Sequence, residues 1–298
     1  MDYIEIVTIG TLSESKIKNI CPVKKKLIDD FIIYDINFND LNYDEKFYLL
    51  LECIKNKSFD HFIKFATIFN EINFSDEENL LLDTACKYEM FDIVKFLIGN
   101  GVSAYNNNNK AIKIATYYNK GTNIIQYLID SGANPHTDEE YPLCISAQTN
   151  KISMFKFLLK FNCDINARNN YCLLASVNPY NSREFIDVLI EYGVNIHYDD
   201  EIVLKYAACN CDIYLVNKLL QHGADINFLT NECLLHVIKY GNYELIKLLV
   251  DNGVNFSQVN NEITKNNIEM RKNNLLIDQG VNHIILFNSL VEKIRTRR

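Results

Sequence analysis

Apolar residues recur along this chain in a long, regular period. Each period opens with a short apolar segment, such as Pro142-Leu143-Cys144-Ile145-Ser146-Ala147 or Val203-Leu204-Lys205-Tyr206-Ala207-Ala208. A small polar break follows, then an amphipathic stretch such as Tyr243-Glu244-Leu245-Ile246-Lys247-Leu248-Leu249-Val250. Apolar positions at this spacing predict helices, so each period reads as helix, turn, helix. The period closes on a phrase: apolar residues, two variable positions, then Gly-(Ala/Val)-(Asn/Asp) and often Ile-Asn. Leu219 to Asn227 is the fullest copy. Glycine just past a helix end is the expected stop, because it takes positive φ without a Cβ clash.

The closing position falls at Gly101, Gly132, Asn162, Gly193, Gly223 and Gly253, at intervals of 31, 30, 31, 30 and 30 residues. A worn copy, Phe69-Asn70-Glu71-Ile72-Asn73, precedes Gly101 by 32 residues. Seven units therefore span residues 45–257. A single helix pair cannot bury its apolar face alone, so neighbouring units must stack and share a core. Residues 1–44 read as an N-terminal cap containing a decayed unit. Residues 258–298 read as a degenerate unit around Leu275 to Asn282 followed by a cap helix near Ile284 to Ile294.

These residues match the ankyrin repeat. The chain resembles that family in its closing Leu-Leu-x-x-Gly-Ala-Asp-Ile-Asn phrase, while the family's Thr-Pro-Leu-His opening is degenerate in every unit. The resemblance implies an all-α fold, an ankyrin-repeat solenoid of stacked helix-turn-helix units. The connector from Gly223 to the next helix opening near Glu232 has about nine residues where the family has about twelve. Short hairpin fingers are therefore expected. Worn, asparagine-rich repeats of this kind resemble the ankyrin proteins of giant DNA viruses.

Composition adds little to that picture and contradicts none of it. Only 4 prolines and 10 glycines occur in 298 residues, which suits helices joined by short turns. The formal net charge of −8 argues against a phosphate-binding face and hence against nucleic-acid partners. No run approaches the ~20 apolar residues of a membrane span. The N-terminus lacks the basic start and apolar run of a secretion signal. Nine scattered cysteines then read as reduced cytosolic thiols. The expectation is a monomeric, cytoplasmic protein, in the host cytoplasm if viral.

Catalytic and cofactor phrases are missing: there is no Gly-x-Ser-x-Gly, His-Glu-x-x-His or phosphate-cradling glycine loop. The chain is read as no enzyme, without cofactor. Cys209-Asn210-Cys211 has a one-residue gap and no second pair, a poor zinc motif. Cys53, Cys86, Cys144, Cys172 and Cys233 fall on apolar faces and read as core. His136 and His197 lie two units apart, on the order of 20 Å at the usual helix spacing, too far to share a metal. Turn hydrogen bonding is their expected role, and no metal site is assigned.

Asp76-Glu77-Glu78, Asp138-Glu139-Glu140 and Asp199-Asp200-Glu201 occupy equivalent connector positions in alternate units. They read either as an acidic rim for a basic partner or as solvated carboxylates favouring helix N-termini. In the family this chain resembles, the ends of the first helices face a concave groove. That places Lys87, Tyr88, Gln148, Thr149, Asn210, Lys239 and Tyr240 as protein-binding candidates, with Asp138, Glu139, Asp199 and Asp200 at the rim. The function expected is a scaffold that binds a partner protein, with a ubiquitin-ligase substrate adaptor as the alternative and an enzyme as the least supported reading.

Overall fold

The computed structural model describes residues 37–177, 183–240 and 243–254, with 20–22, 26 and 256 as isolated positions. Among the described residues are fourteen α-helices, two single-turn 3-10 helices and no strand. The chain divides into two units, Met1–Arg168 and Asn169–Arg298. Most of the expected N-terminal cap, and the C-terminal degenerate unit and cap helix, lie outside the described residues.

The first unit holds four helix pairs: α1 (Tyr43–Lys55) with α2 (Phe59–Ile68), α3 (Asp76–Lys87) with α4 (Phe91–Gly99), α5 (Asn106–Tyr118) with α6 (Asn123–Asp130), and α7 (Thr137–Gln148) with α8 (Ile152–Leu159). First helices stack in the order α1, α3, α5, α7, and second helices stack alongside as α2, α4, α6. In the second unit, α9 (Ala167–Ser176) starts at the boundary and is followed by α10 (Arg183–Glu191), α11 (Tyr198–Cys209), α12 (Ile213–Gln221), α13 (Asn231–Tyr240) and α14 (Tyr243–Asp251). There α11 packs on α12 and α13, and α14 packs on both α12 and α13.

The two helix types bury different amounts of surface because of where they sit. α5 lies between α3 and α7 and buries Ala111 to Thr116 without interruption. Small residues on the first helices, including Ala85, Ala115, Ala147 and Ala208, are fully buried. They let neighbouring backbones approach. Second helices are amphipathic: α4 buries Ile93, Val94 and Leu97, and α6 buries Ile124, Ile125 and Leu128. Full burial of such a side chain contributes about 1.5–3 kcal/mol. The cysteines expected in the core, Cys53, Cys86, Cys144, Cys172 and Cys233, are all buried.

Second helices end as the glycine pattern predicts. Gly101, Gly132, Gly193, Gly223 and Gly253 all have positive φ, and Asn162 takes their place with φ 60. After α4, Gly101 N–H donates to Ile98 O and Val102 N–H to Leu97 O, the paired bonds of a Schellman cap. Four first helices end on left-handed non-glycine residues, Lys57, Glu89, Asn150 and Cys211, whereas α5 ends on extended Asn119. Cys211 is thus a helix-terminating position.

The fingers are short enough that no strand pair forms among the described residues. Two devices fill the connector. The Asn or Asp of the closing phrase folds an Asx turn: Asn73, Asn134, Asp164, Asn195 and Asp225 each accept, through side-chain oxygen, the N–H two residues on. A left-handed turn of three residues then follows at Asn107 to Asn109, Asp138 to Glu140, Arg168 to Asn170, and Asp199 to Glu201. Each such residue costs about 1–2 kcal/mol for an ordinary side chain, and asparagine and aspartate tolerate it best. The connector asparagines therefore have a backbone reason to be there. The turn also explains Pro142 within α7, because right-handed helix starts only after Glu140.

The last residue of each left-handed turn, and Asn79 after left-handed Glu78, reaches across to the closing turn of the next unit. Asn79 Nδ2 donates to Ser103 O at 3.3 Å, and Asn109 Oδ1 accepts from Asn134 N at 2.7 Å. Glu140 Oε1 accepts from Asp164 N at 3.3 Å. In the second unit Asn170 Nδ2 donates to Asn195 O at 3.3 Å, and Glu201 Oε1 accepts from Asp225 N at 3.0 Å. These rungs tie consecutive repeats together at 24 or 25 residues' separation.

Candidate protein-binding surface

In the first unit the ends of α3 and α5 bring tyrosines and lysines together. Lys87 and Tyr88 close α3, and the Lys87 ammonium lies 5.7 Å from the Tyr88 ring centroid and 5.1 Å from that of Tyr118. Tyr117 and Tyr118 sit edge to face, with centroids 4.8 Å apart. All four side chains are half-buried. Lys151, at the start of α8, lies 5.9 Å from the Tyr117 centroid. It donates to Thr116 O at 2.7 Å and to Tyr117 O, so it caps the last carbonyls of α5. Burial draws the Lys151 ammonium down to about 8, against the raising influence of Glu89. Glu89 Oε1 in turn accepts from Lys120 N at 2.7 Å, bracing the α5–α6 turn.

Tyr117 and Tyr118 were not among the sequence candidates. Their signal was the period itself, since Tyr118 stands 30 residues after Tyr88. Gln148 and Thr149 close α7 two units on from Tyr88 and are half-buried. Thr149 Oγ1 donates to Ile145 O at 2.8 Å. In the second unit Asn210 closes α11 and is exposed, yet its Nδ2 donates to Tyr206 O at 3.0 Å. Thr149 and Asn210 thus bond back to carbonyls of their own helices. Lys239 and Tyr240 end α13, with side chains outside the described residues.

The acidic triplets divide by position. Third members Glu140 and Glu201 are buried rungs. Asp138, Glu139, Asp199 and Asp200 are exposed, as a rim requires. Asp138, however, is already matched: Lys113 and Asn108 donate to its carboxylate, and Arg168 donates twice to its carbonyl. Partial burial works to raise this carboxyl, but the Lys113 and Asn108 bonds and the charges of Lys113 and Arg168 hold it below the usual range. The charge available to a partner is therefore concentrated on Glu139 in the first unit and on Asp199 and Asp200 in the second.

His136 and His197 bond within their turns, Nδ1 facing Glu140 Oε1 at 2.8 Å and Glu201 Oε1 at 2.5 Å. Cys209 Sγ lies 3.0 Å from Cys233 Sγ on the neighbouring first helix. Burial, followed by the Cys233 contact, pushes the Cys209 thiol up to about 12. Among the described residues no helix is long and apolar enough to cross a membrane.

Comparison with known proteins supplies the context for this surface. Residues 50–139 and 112–200 match the family profile described as ankyrin repeats in three copies. An ankyrin repeat protein of Acanthamoeba polyphaga mimivirus is 27% identical over 216 residues, covering 71% of this chain and 69% of that one. One from fowlpox virus is 26% identical over 130 residues, 42% of this chain and 31% of its own length. A human ankyrin repeat and SOCS box protein is 38% identical over 80 residues, 25% of this chain and 14% of its own. The chain thus spans just over two thirds of the mimivirus relative and less than a third of the other two.

Proposed function

The chain belongs to the ankyrin-repeat family, and from that premise we propose that it is a non-catalytic scaffold that takes a partner protein on its first-helix ends. The observation that carries this reading is the Lys87, Tyr88, Tyr117 and Tyr118 cluster. Tyrosine offers a large apolar area with a hydrogen-bonding tip, and half-buried rings are already held in place before a partner arrives. Lys87, held over two rings, leaves its charge available for a carboxylate or carbonyl on the partner. Glu139, Asp199 and Asp200 supply acidic flanks that favour a partner with basic segments. A repeat array at 45–257 with caps at either end fits this role, because covered end faces keep a solenoid soluble while its groove stays open.

The viral relatives support a further step: the protein acts in host cytoplasm on a host protein, and a monomeric state is proposed alongside. Affinity capture from host-cell lysate followed by measurement with the purified partner tests the surface. Tyr88→Ala combined with Tyr118→Ala should weaken binding at least tenfold while leaving the helical circular dichroism and the urea midpoint nearly unchanged. Unchanged affinity in the double variant places the site elsewhere.

The adaptor alternative puts recruitment of ligase machinery in residues 258–298. A chain ending at residue 257 separates the two readings. Loss of ligase components with retention of the captured partner supports the adaptor, and their persistence without the tail refutes it.

A further inference from the structure

Three potential metal ligands from one repeat boundary converge in the first unit. His136, which precedes α7, Glu140, the rung at the end of the left-handed turn, and Cys163, beyond α8, place their donor atoms within 4.8 Å of one another. Sequence spacing conceals this, since Cys163 is 23 residues from Glu140 and belongs to no Cys-x-x-Cys pair. We propose that His136, Glu140 and Cys163 bind a zinc ion, with water in the fourth position.

Two observations favour the site beyond proximity. Glu140 is 9% exposed, and its Oε2 is buried without a hydrogen-bond partner, while Oε1 is used by Asp164 N and His136. A buried carboxylate oxygen without a partner is unfavourable, and a cation relieves it. The second observation is an internal comparison. His197 and Glu201 reproduce the pair 61 residues later, with the same Nδ1-to-Oε1 contact. The position matching Cys163 there is Ala224. Glu201 Oε2 is likewise buried without a partner. The His–Glu pair and its open carboxylate oxygen are therefore features of the turn, and the thiol beside them is what distinguishes the first copy.

The chemistry suits zinc. Sulfur, imidazole nitrogen and carboxylate oxygen are its usual donors, at about 2.3, 2.0–2.1 and 2.0–2.2 Å. Tetrahedral placement at these lengths needs donors roughly 3.4 Å apart, so the 2.8 Å His136–Glu140 contact must open slightly. His136 is 43% exposed in its side chain, which gives the imidazole room to turn and the ion a way in. On binding, the Cys163 thiol releases its proton to solvent and the thiolate takes the metal, one proton per ion. The filled site would hold the finger of one repeat to the closing turn of the next.

Cobalt(II) titration of the reduced full-length chain tests this, because thiolate ligation gives a near-ultraviolet charge-transfer band, followed by competition with zinc. One cobalt per chain with that band is expected, displaced by zinc. Cys163→Ala should abolish the band and weaken binding at least tenfold, and it should fold normally because alanine occupies the twin position. Ala224→Cys should raise the stoichiometry from one to two. A band that survives Cys163→Ala and disappears in Cys209→Ala would assign the metal to other thiols and overturn the proposal, as would absence of the band in the native chain.

Discussion

Replacing Glu201 with alanine removes one rung together with its contact to His197. The Glu201 side chain is 2% exposed, its Oε1 accepts from Asp225 N at 3.0 Å, and His197 Nδ1 lies at 2.5 Å. A bond to a charged acceptor contributes about 1.5–3 kcal/mol, and cutting it leaves the Asp225 amide unpaired. Against this, Oε2 is buried without a partner, and removing it recovers part of a desolvation penalty of order 1 kcal/mol. The net expectation for Glu201→Ala is destabilisation by about 2 kcal/mol. Glu201→Gln keeps an acceptor for the amide but gives up the charge, so about 1 kcal/mol is expected. Asp199→Asn, on the exposed first residue of the same turn, keeps a side chain that tolerates positive φ and should stay within about 0.5 kcal/mol. Urea denaturation supplies the energies, and amide hydrogen exchange at Asp225 locates them. Should Glu201→Ala match the native chain in both midpoint and exchange at Asp225, the rung is a bystander and the account of inter-repeat coupling is wrong.

Asp83 makes stability depend on pH. Burial pushes its carboxyl up to about 6, despite the Lys110 ammonium at 3.1 Å, and Glu78 adds to the rise. A carboxyl that holds its proton more tightly when folded stabilises fully below its unfolded value near 4 and loses that contribution as pH rises through about 6. The loss is of order 3 kcal/mol, so urea midpoints should fall between pH 4 and 7 in the native chain. Asp83→Asn should flatten that slope, and an unchanged slope would show that another group is responsible. Two backbone substitutions should move stability in opposite directions. Gly132→Ala forces positive φ on alanine and sets a Cβ 3.4 Å from the Tyr105 ring, costing about 1–2 kcal/mol. Glu139→Gly relaxes an exposed left-handed residue with φ 51 and should stabilise by up to about 1 kcal/mol. Thermal or urea melts that give the same sign for both would refute the strain argument.

The period was legible because it is local. Gly223 after Leu219 and Leu220 states a helix end in its own residues, and the apolar face of α12 declares itself by spacing. The Asx-turn role of Asp225 is likewise implied by the recurring Asn or Asp of the closing phrase. The left-handed turns were not legible, because Asp138-Glu139-Glu140 reads as an ordinary acidic helix start. Nothing in those residue types announces three positive φ angles in a row. The rungs are pairings across 24 or 25 residues, invisible until the turn aims Glu140 and Glu201 inward. For the same reason the triplets read as solvated throughout, whereas Glu140 and Glu201 are buried and only Glu78, third in the first triplet, is exposed. At the binding surface, Tyr88 was chosen for its place in the repeat. The same 30-residue step reaches Tyr118 from Tyr88, but the edge-to-face contact with Tyr117 and the shared Lys87 ammonium are visible only in the fold.

The rungs also bear on which insertions the array tolerates. Asparagine stands at 79, 109 and 170 and glutamate at 140 and 201, with histidine four residues before each glutamate. Copying a single repeat sets like rungs side by side, as Asn79 and Asn109 stand. Copying a 61-residue doublet carries histidine and glutamate along together, the pattern of His136–Glu140 and His197–Glu201. Between residues 109 and 201, inserting or deleting a whole pair therefore keeps asparagine and glutamate rungs in turn, whereas a single repeat does not.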